Sequence, residues 1–129
     1  STPGMQRAWS GMQRERAVFH IAQTLRVART LAIAQGQPIE WHWDSQTQQV
    51  WLTILQAEGS SVAVAGRFGK PYRVPPALQV AVLRDGQPVD VVVFSPDGTS
   101  QTTTVVFGEV AQPTNRITLD GTTSHVAVQ

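Results

Sequence analysis

The apolar residues of this sequence change period at one place, and that change limits what the chain can fold into. Between Pro3 and Gly36 they recur at helical spacing; from Ile39 onward they alternate. Pro3 suits the first turn of a helix, where a missing N–H goes unnoticed, and Gly36 followed by Pro38 is a stop signal. The segment between them predicts one helix of about 30 residues, long for a small domain. A wheel at about 100° per residue places Met5, Ala8, Trp9, Met12 and Phe19 on one side and Val18, Ile21, Leu25, Ala28 and Ala32 roughly opposite. A helix serving only its own core would keep one stripe. The expectation is therefore that the second half packs on this chain's own sheet and the first half faces another body. The competing reading is a kinked helix with both halves in one core.

After Gly36, Ile39, Trp41 and Trp43 alternate with Glu40, His42 and Asp44, and Val50, Leu52 and Ile54 repeat the pattern. A hairpin centred on Gln46-Thr47 sets Trp43 opposite Val50, Trp41 opposite Leu52 and Ile39 opposite Ile54, so that all six share one face. Residues 56–76, rich in Gly and Pro, read as loop with a short strand at Val62–Ala65. Leu78–Leu83 and Val89–Phe94 flank Asp85-Gly86, which favours a two-residue hairpin turn. Pro96 and Gly98 then suit a three-residue turn leading to a third strand, Thr102–Phe107, in a meander covered on both sides. Arg116–Leu119 and His125–Val128 surround Asp120-Gly121 as a last pair. The outline is α+β, one helix followed by seven or eight strands. With 129 residues there is room for one ordinary core, which predicts a single domain, residues 1–129, with the helix in 1–36 and the β body in 37–129.

Composition narrows the chemistry. With no cysteine, thiolate metal sites, thiol catalysis and disulfides are excluded. No run of about 18 apolar residues occurs, and the beginning lacks a signal-peptide pattern; Ser1-Thr2-Pro3-Gly4 reads as a cut end or in part a cloning scar. Charge is uneven: residues 1–35 hold Arg7, Arg14, Arg16, Arg26 and Arg29 against Glu15, and the rest is mildly acidic. The arginines scatter around the wheel, which marks a solvated surface, or one near anionic lipid, more than a groove reader.

Glu40, His42 and Asp44 lie at alternate positions on one strand face, the one cluster of carboxylates and imidazole. Metal ligation needs donors about 2.0–2.2 Å from one ion, whereas same-face neighbours start about 7 Å apart, so a solvated polar face with Trp51 across from His42 is the expectation. Asp97 before Gly98 is what turn geometry selects. His20 and His125 have no partner legible in the sequence. No activated nucleophile, dinucleotide fingerprint, phosphate loop or zinc helix motif occurs, and Gly66-Arg67-Phe68-Gly69-Lys70 lacks phosphate-loop spacing and reads as a flexible loop. A ligand-binding sandwich would rest on Trp41, Trp43 and Trp51 alone, and the first two are expected in the core.

Leu25-Arg26-Val27-Ala28-Arg29-Thr30-Leu31-Ala32-Ile33-Ala34-Gln35-Gly36 resembles the helix-end segment of GspH/FimT-type minor pseudopilins, and Phe94-Ser95-Pro96-Asp97-Gly98 resembles that family's F-x-P-D-G turn. The resemblance spans essentially the whole chain. It implies a long N-terminal helix packed on antiparallel sheets that form a β-sandwich, and a structural, non-enzymatic subunit of a type II secretion pseudopilus that takes no cofactor or metal. Its implied partners are other minor pseudopilins and the major pseudopilin, with secreted substrates as further candidates. It also implies a hydrophobic anchor segment in the inner membrane, with this part in the periplasm. That segment and its glutamate have no counterpart in this sequence, which is read as the portion C-terminal to the anchor. Met5, Trp9, Met12, Arg16 and Phe19 would then meet neighbouring subunits, and Phe94, Pro96, Asp97 and Gly98 form the signature turn. The alternative is a type IV pilus minor pilin acting in assembly or DNA uptake; the ending His125-Val126-Ala127-Val128-Gln129 lacks the basic tail of DNA-uptake relatives, and nucleic acid is not the expected partner.

Overall fold

The computed structural model describes residues 3–129, with side chains described at residue 9 and from residue 11 onward. Helix α1 runs Pro3–Gln35 and ends where Gly36 N–H bonds to Ala32 O at 3.0 Å with Gly36 in the left-handed conformation, a C-terminal cap that a Cβ would strain. Ten strands follow: β1 Ile39–Asp44, β2 Gln49–Leu55, β3 Ser61–Ala63, β4 Tyr72–Arg73, β5 Val80–Arg84, β6 Gln87–Pro88, β7 Val91–Phe94, β8 Thr103–Gly108, β9 Pro113–Asp120 and β10 His125–Val128. They form two antiparallel sheets. The first has the order β3-β2-β1-β7, with β4 also on β2, and the second β10-β9-β8-β5-β6.

The first hairpin has the register the alternation demands, Ile39 opposite Ile54, Trp41 opposite Leu52 and Trp43 opposite Val50. A slip of one residue would turn Trp41, which is fully buried, out to water. Its indole N–H donates to Thr24 Oγ1 at 2.9 Å, and that hydroxyl donates to Ile21 O at 2.7 Å, so the buried ring nitrogen and the helix are satisfied together. Around this relay Ala17, Ile21, Leu25, Ala28 and Ala32 are buried in one cluster with residues of both sheets. Three alanines among these five keep the helix close to the strands. The helix meets β1, β2 and β7 of the first sheet and also β9 and β10 of the second.

Three sequence expectations fail here for identifiable reasons. The two-residue turn at Asp85-Gly86 forms, with both residues at positive φ and Leu83 opposite Pro88, but Val89–Phe94 is not one strand of that hairpin. Val89 N–H still bonds to Val82 O in the second sheet at 3.0 Å, while Asp90 O already accepts from Trp43 N–H in the first at 2.9 Å. The chain changes sheets within two residues, and nothing in Val89-Asp90-Val91-Val92 marks the corner. Likewise β7 and β8 are not a hairpin: β7 pairs with β1, β8 with β5 and β9, and the turn between them is a second crossing, bridged only at Phe94 and Ser100. Within residues 56–76 the expected short strand forms as β3, one or two positions earlier than read, whereas Gly66–Lys70, read as a flexible loop, holds a 3-10 turn, Arg67–Gly69, followed by the short strand β4.

Two of the edge strands carry side chains on their outer backbone groups. On β7 the Val91 carbonyl accepts from Arg84 Nη2 at 2.9 Å and the Val93 N–H donates to Gln101 Oε1 at 3.1 Å, filling sites a further strand would use. On β10 the Val126 carbonyl accepts from Arg26 Nη2 at 3.2 Å.

In urea unfolding at neutral pH, Thr24→Val should cost about 1–3 kcal/mol by stranding the Trp41 N–H and Leu25→Ala about 2–5 kcal/mol. Phe19→Ala should stay within about 0.5 kcal/mol. Equal losses at Leu25 and Phe19 would contradict a helix with one buried side.

Candidate functional site

The helix carries the features that point outward. Trp9, Met12 and Phe19 are 60%, 50% and 62% exposed, against 1% for Leu25. Arg16 lies on the same side and is exposed. Met5 and Ala8, placed on this face by the wheel, lie outside the described side chains. Three large apolar groups in water on one side of one helix constitute an unsatisfied surface of the kind that marks an interaction site. Burial of the facing side begins at Ala17 and Val18, so the stripe changes sides along the helix as its sequence does.

Three further helix arginines are not simply solvated, contrary to their reading as a scattered surface. Arg14 Nε donates to Asn115 Oδ1 at 2.9 Å, Arg26 Nη2 to Val126 O at 3.2 Å and Arg29 Nε to Thr123 O at 3.2 Å. All three partners lie on β9, on β10 or in the turn between them. The arginines tie the helix to the second sheet by hydrogen bonds, while the alanine and leucine positions pack it into the core shared by both sheets.

The turn Phe94-Ser95-Pro96-Asp97-Gly98 is a structural joint. Phe94 is fully buried. Ser95 N–H bonds to Thr99 O at 2.8 Å and Gly98 N–H to Ser95 O at 3.0 Å. Asp97 Oδ1 accepts from Thr99 N–H at 3.0 Å and Thr99 Oγ1 at 2.6 Å, and these bonds hold the exposed carboxyl below the usual carboxylate range. Gly98 has φ 90°, which explains a glycine after the aspartate. Past the turn, Ser100 N–H bonds to Gly121 O at 2.8 Å and Gly121 N–H to Thr102 Oγ1 at 2.9 Å. A Cβ on Gly121 would stand 2.5 Å from Ser100 O, so no side chain fits there. The joint thus locks the crossing between sheets to the β9–β10 turn, beside Ile33 in the last turns of the helix.

Glu40 and His42 share Thr53, whereas Asp44 serves the hairpin turn. Thr53 Oγ1 donates to Glu40 Oε1 at 2.9 Å and therefore accepts from His42 Nε2, 2.7 Å away; Ser61 Oγ donates to the same Glu40 oxygen. The His42 ring stacks on Trp51 at 5.1 Å and 8°. Asp44 Oδ1 accepts from the N–H groups of Gln46 and Thr47 at 2.9 and 3.2 Å, shaping the hairpin turn. Trp41 and Trp43 are core residues. Sequence reasoning missed the contacts of His20, whose ring packs on Tyr72 at 4.7 Å across a fold-created gap of 52 positions; the basic, glycine-bearing run beside Tyr72 was the available signal.

A long helix whose later half is built into two antiparallel sheets, whose earlier half presents apolar groups to water, and whose sheets are joined through an F-x-P-D-G corner defines a pilin-like subunit. The family model of the type II transport protein GspH matches residues 17–124, and the chain belongs to that family. Among solved structures, the minor pseudopilin EpsH of the type II secretion system of Vibrio cholerae superposes with a TM-score of 0.72 at 16% identity, over 90% of this chain and 92% of that one. The type IV minor pilin FimU of Pseudomonas aeruginosa superposes with a TM-score of 0.65 at 15% identity, over 89% and 87%. At these identities the likenesses establish the fold. No curated protein sequence matches the chain. Among the described residues no helix is long and apolar enough to cross a membrane.

Burial holds His42 below its ordinary value of 6.5, against the opposing pull of Glu40 and Asp90. The unfolded chain then takes up a proton near pH 6.5 and the folded chain only at lower pH, so the stability contributed by the neutral ring is complete above 6.5 and declines as pH falls from there toward the folded value. The urea midpoint should therefore drop between about pH 7.5 and about pH 5.5, and His42→Gln should reduce that drop. An undiminished drop in the variant would assign it elsewhere; the exposed Asp44, Glu58 and Asp97, whose values are also lowered, titrate below that window.

Proposed function

We propose that this chain is a minor pseudopilin of a type II secretion system that works by assembly and not by turnover, joining other minor pseudopilins and the major pseudopilin in a pseudopilus. The carrying observation is the exposure of Trp9, Met12 and Phe19 on a helix whose later half is fixed in its own core. Burying the half or so of each group still in water would contribute on the order of 1 kcal/mol each, enough to make the helix an adhesive surface. Arg16 extends the same face, and the helical wheel assigns Met5 to it. In this reading a hydrophobic segment preceding the present sequence anchors the subunit in the inner membrane and the described part stands in the periplasm. Secreted substrates are handled by the filament and not by a catalytic centre of this chain.

The second reading, a type IV pilus minor pilin, is favoured by the likeness to FimU and shares the same helix surface. The set of subunits that co-purify separates the two.

With the anchor segment in place and the other pseudopilins co-expressed, the protein should co-purify with them, and the double variant Trp9→Asp, Phe19→Asp should lose about tenfold or more of that association at an unchanged urea midpoint. Association with pilus subunits alone would favour the second reading. Undiminished association of the double variant would contradict the proposed surface.

A further inference from the structure

The cleft beside the helix carries charge that no carboxylate among the described residues pairs. Its helix side is formed by His20 and Gln23, one position beyond the exposed Phe19, and its other wall by Phe68, Pro71 and Tyr72; it encloses about 250 Å³, room for one or two side chains. Arg67 and Lys70 line it, and Arg16 is close enough for its charge to act on the Tyr72 phenol against the upward push of burial. Among the described residues the one contact between a carboxylate and a basic side chain is Glu40 with His42, so none of these three cations is ion-paired. The loop that presents Arg67 and Lys70 is shaped for it. Lys70 N–H bonds to Arg67 O at 3.1 Å, and a Cβ on Gly69 would fall 1.9 Å from Val64 O, so the 3-10 turn is seated directly on the backbone after β3.

We propose that this cleft is a docking site for an acidic peptide segment of another polypeptide, one carboxylate-bearing stretch with an apolar or aromatic residue that enters between His20 and Phe68. Two cations without an ion-pair partner among the described residues, Arg67 and Lys70, line an apolar floor, with the charge of Arg16 felt at Tyr72, and they complement such a segment in charge and in surface. A nucleic acid strand fits less well. Single-strand binders use free ring faces, but here one face of Tyr72 is taken by His20 and one face of Phe68 by the Arg67 guanidinium, 4.7 Å from its centroid. The cleft adjoins the proposed subunit surface, so a neighbouring pseudopilin is the natural source of the segment; that identification rests on the function proposed above, whereas binding of the peptide does not.

The test is an NMR titration of the isotopically labelled chain with the peptide acetyl-Glu-Asp-Phe-Glu-Asp-amide. Amides of residues 66–72 and of His20 should shift together and saturate, with a dissociation constant on the order of 0.1–1 mM. The interaction should weaken severalfold from about 50 to about 300 mM salt. The Gln-Asn-Phe-Gln-Asn analogue and the double variant Arg67→Glu, Lys70→Glu, its fold verified by the unshifted remainder of the spectrum, should each bind at least about tenfold more weakly. Shifts confined to other surfaces, equal binding of the neutral analogue, or tighter binding of a single-stranded oligonucleotide in the same cleft would overturn the proposal. Peptide binding that survives Trp9→Asp, Phe19→Asp while co-purification is lost keeps the two surfaces separate and supports both. Intact co-purification with no peptide binding overturns the cleft alone.

Discussion

The buried indole of Trp41 sets the orientation of the helix. Trp41 lies in β1, which is paired on both sides by β2 and β7, and its N–H has no strand partner to turn to. Thr24 supplies one, and the same hydroxyl returns to the Ile21 carbonyl. An indole N–H left unpaired in that position would cost more than the bond itself contributes, so the helix can take one rotation about its axis. On the other side Arg14, Arg26 and Arg29 bond to β9, β10 and their turn. Once Leu25 and Ile21 face the sheets, helical geometry alone directs Phe19, Met12 and Trp9 away from them. The inner packing and the outer surface are two consequences of the same constraint.

That constraint also explains what was legible in the sequence. Residues whose role depends on period read correctly: the Ile39/Trp41/Trp43 face and its register, the opposed helix faces, the Gly36 stop and the β9–β10 pair all derive from spacing and turn chemistry. Crossings between sheets did not read. Val89 to Phe94 is β-favourable on both sides of Asp90, and Pro96-Asp97-Gly98 makes the same tight turn whether the strands it joins share a sheet or not. Contacts made by long side chains were hidden for another reason. Arg26 and Arg29 look like solvated charges until the partner carbonyls, about a hundred positions away, are brought beside them. His20 and Tyr72, and Arg84 and Gln101, are pairs made only by the fold.

How the molecule associates depends on the surfaces it leaves open. Strand addition is a common route for sheet proteins, but here β7 is capped by Arg84 and Gln101 and β10 by Arg26. The sandwich is protected against neighbours along those edges, and the large apolar groups left in water lie mainly on the helix. A subunit with β7 and β10 guarded and an adhesive helix is suited to stacking along a filament through its helices. Membership of the GspH family and the likeness to EpsH and FimU fit that reading, and the F-x-P-D-G joint acquires a mechanical meaning in it: it holds the two sheets together beside the end of the helix through which neighbours would transmit force.

Because the chain has no cysteine, single cysteines placed along the helix can report each face without interference. Maleimide labelling of such variants at positions 9, 12, 19, 21, 25 and 28, compared between the isolated chain and the assembled filament, probes the two-sided helix directly. Positions 9, 12 and 19 should react readily in isolation and become protected on assembly, whereas 21, 25 and 28 should be protected in both states. Unchanged reactivity at 9, 12 and 19 on assembly, or ready labelling at 21 and 25 in the folded monomer, would contradict the account.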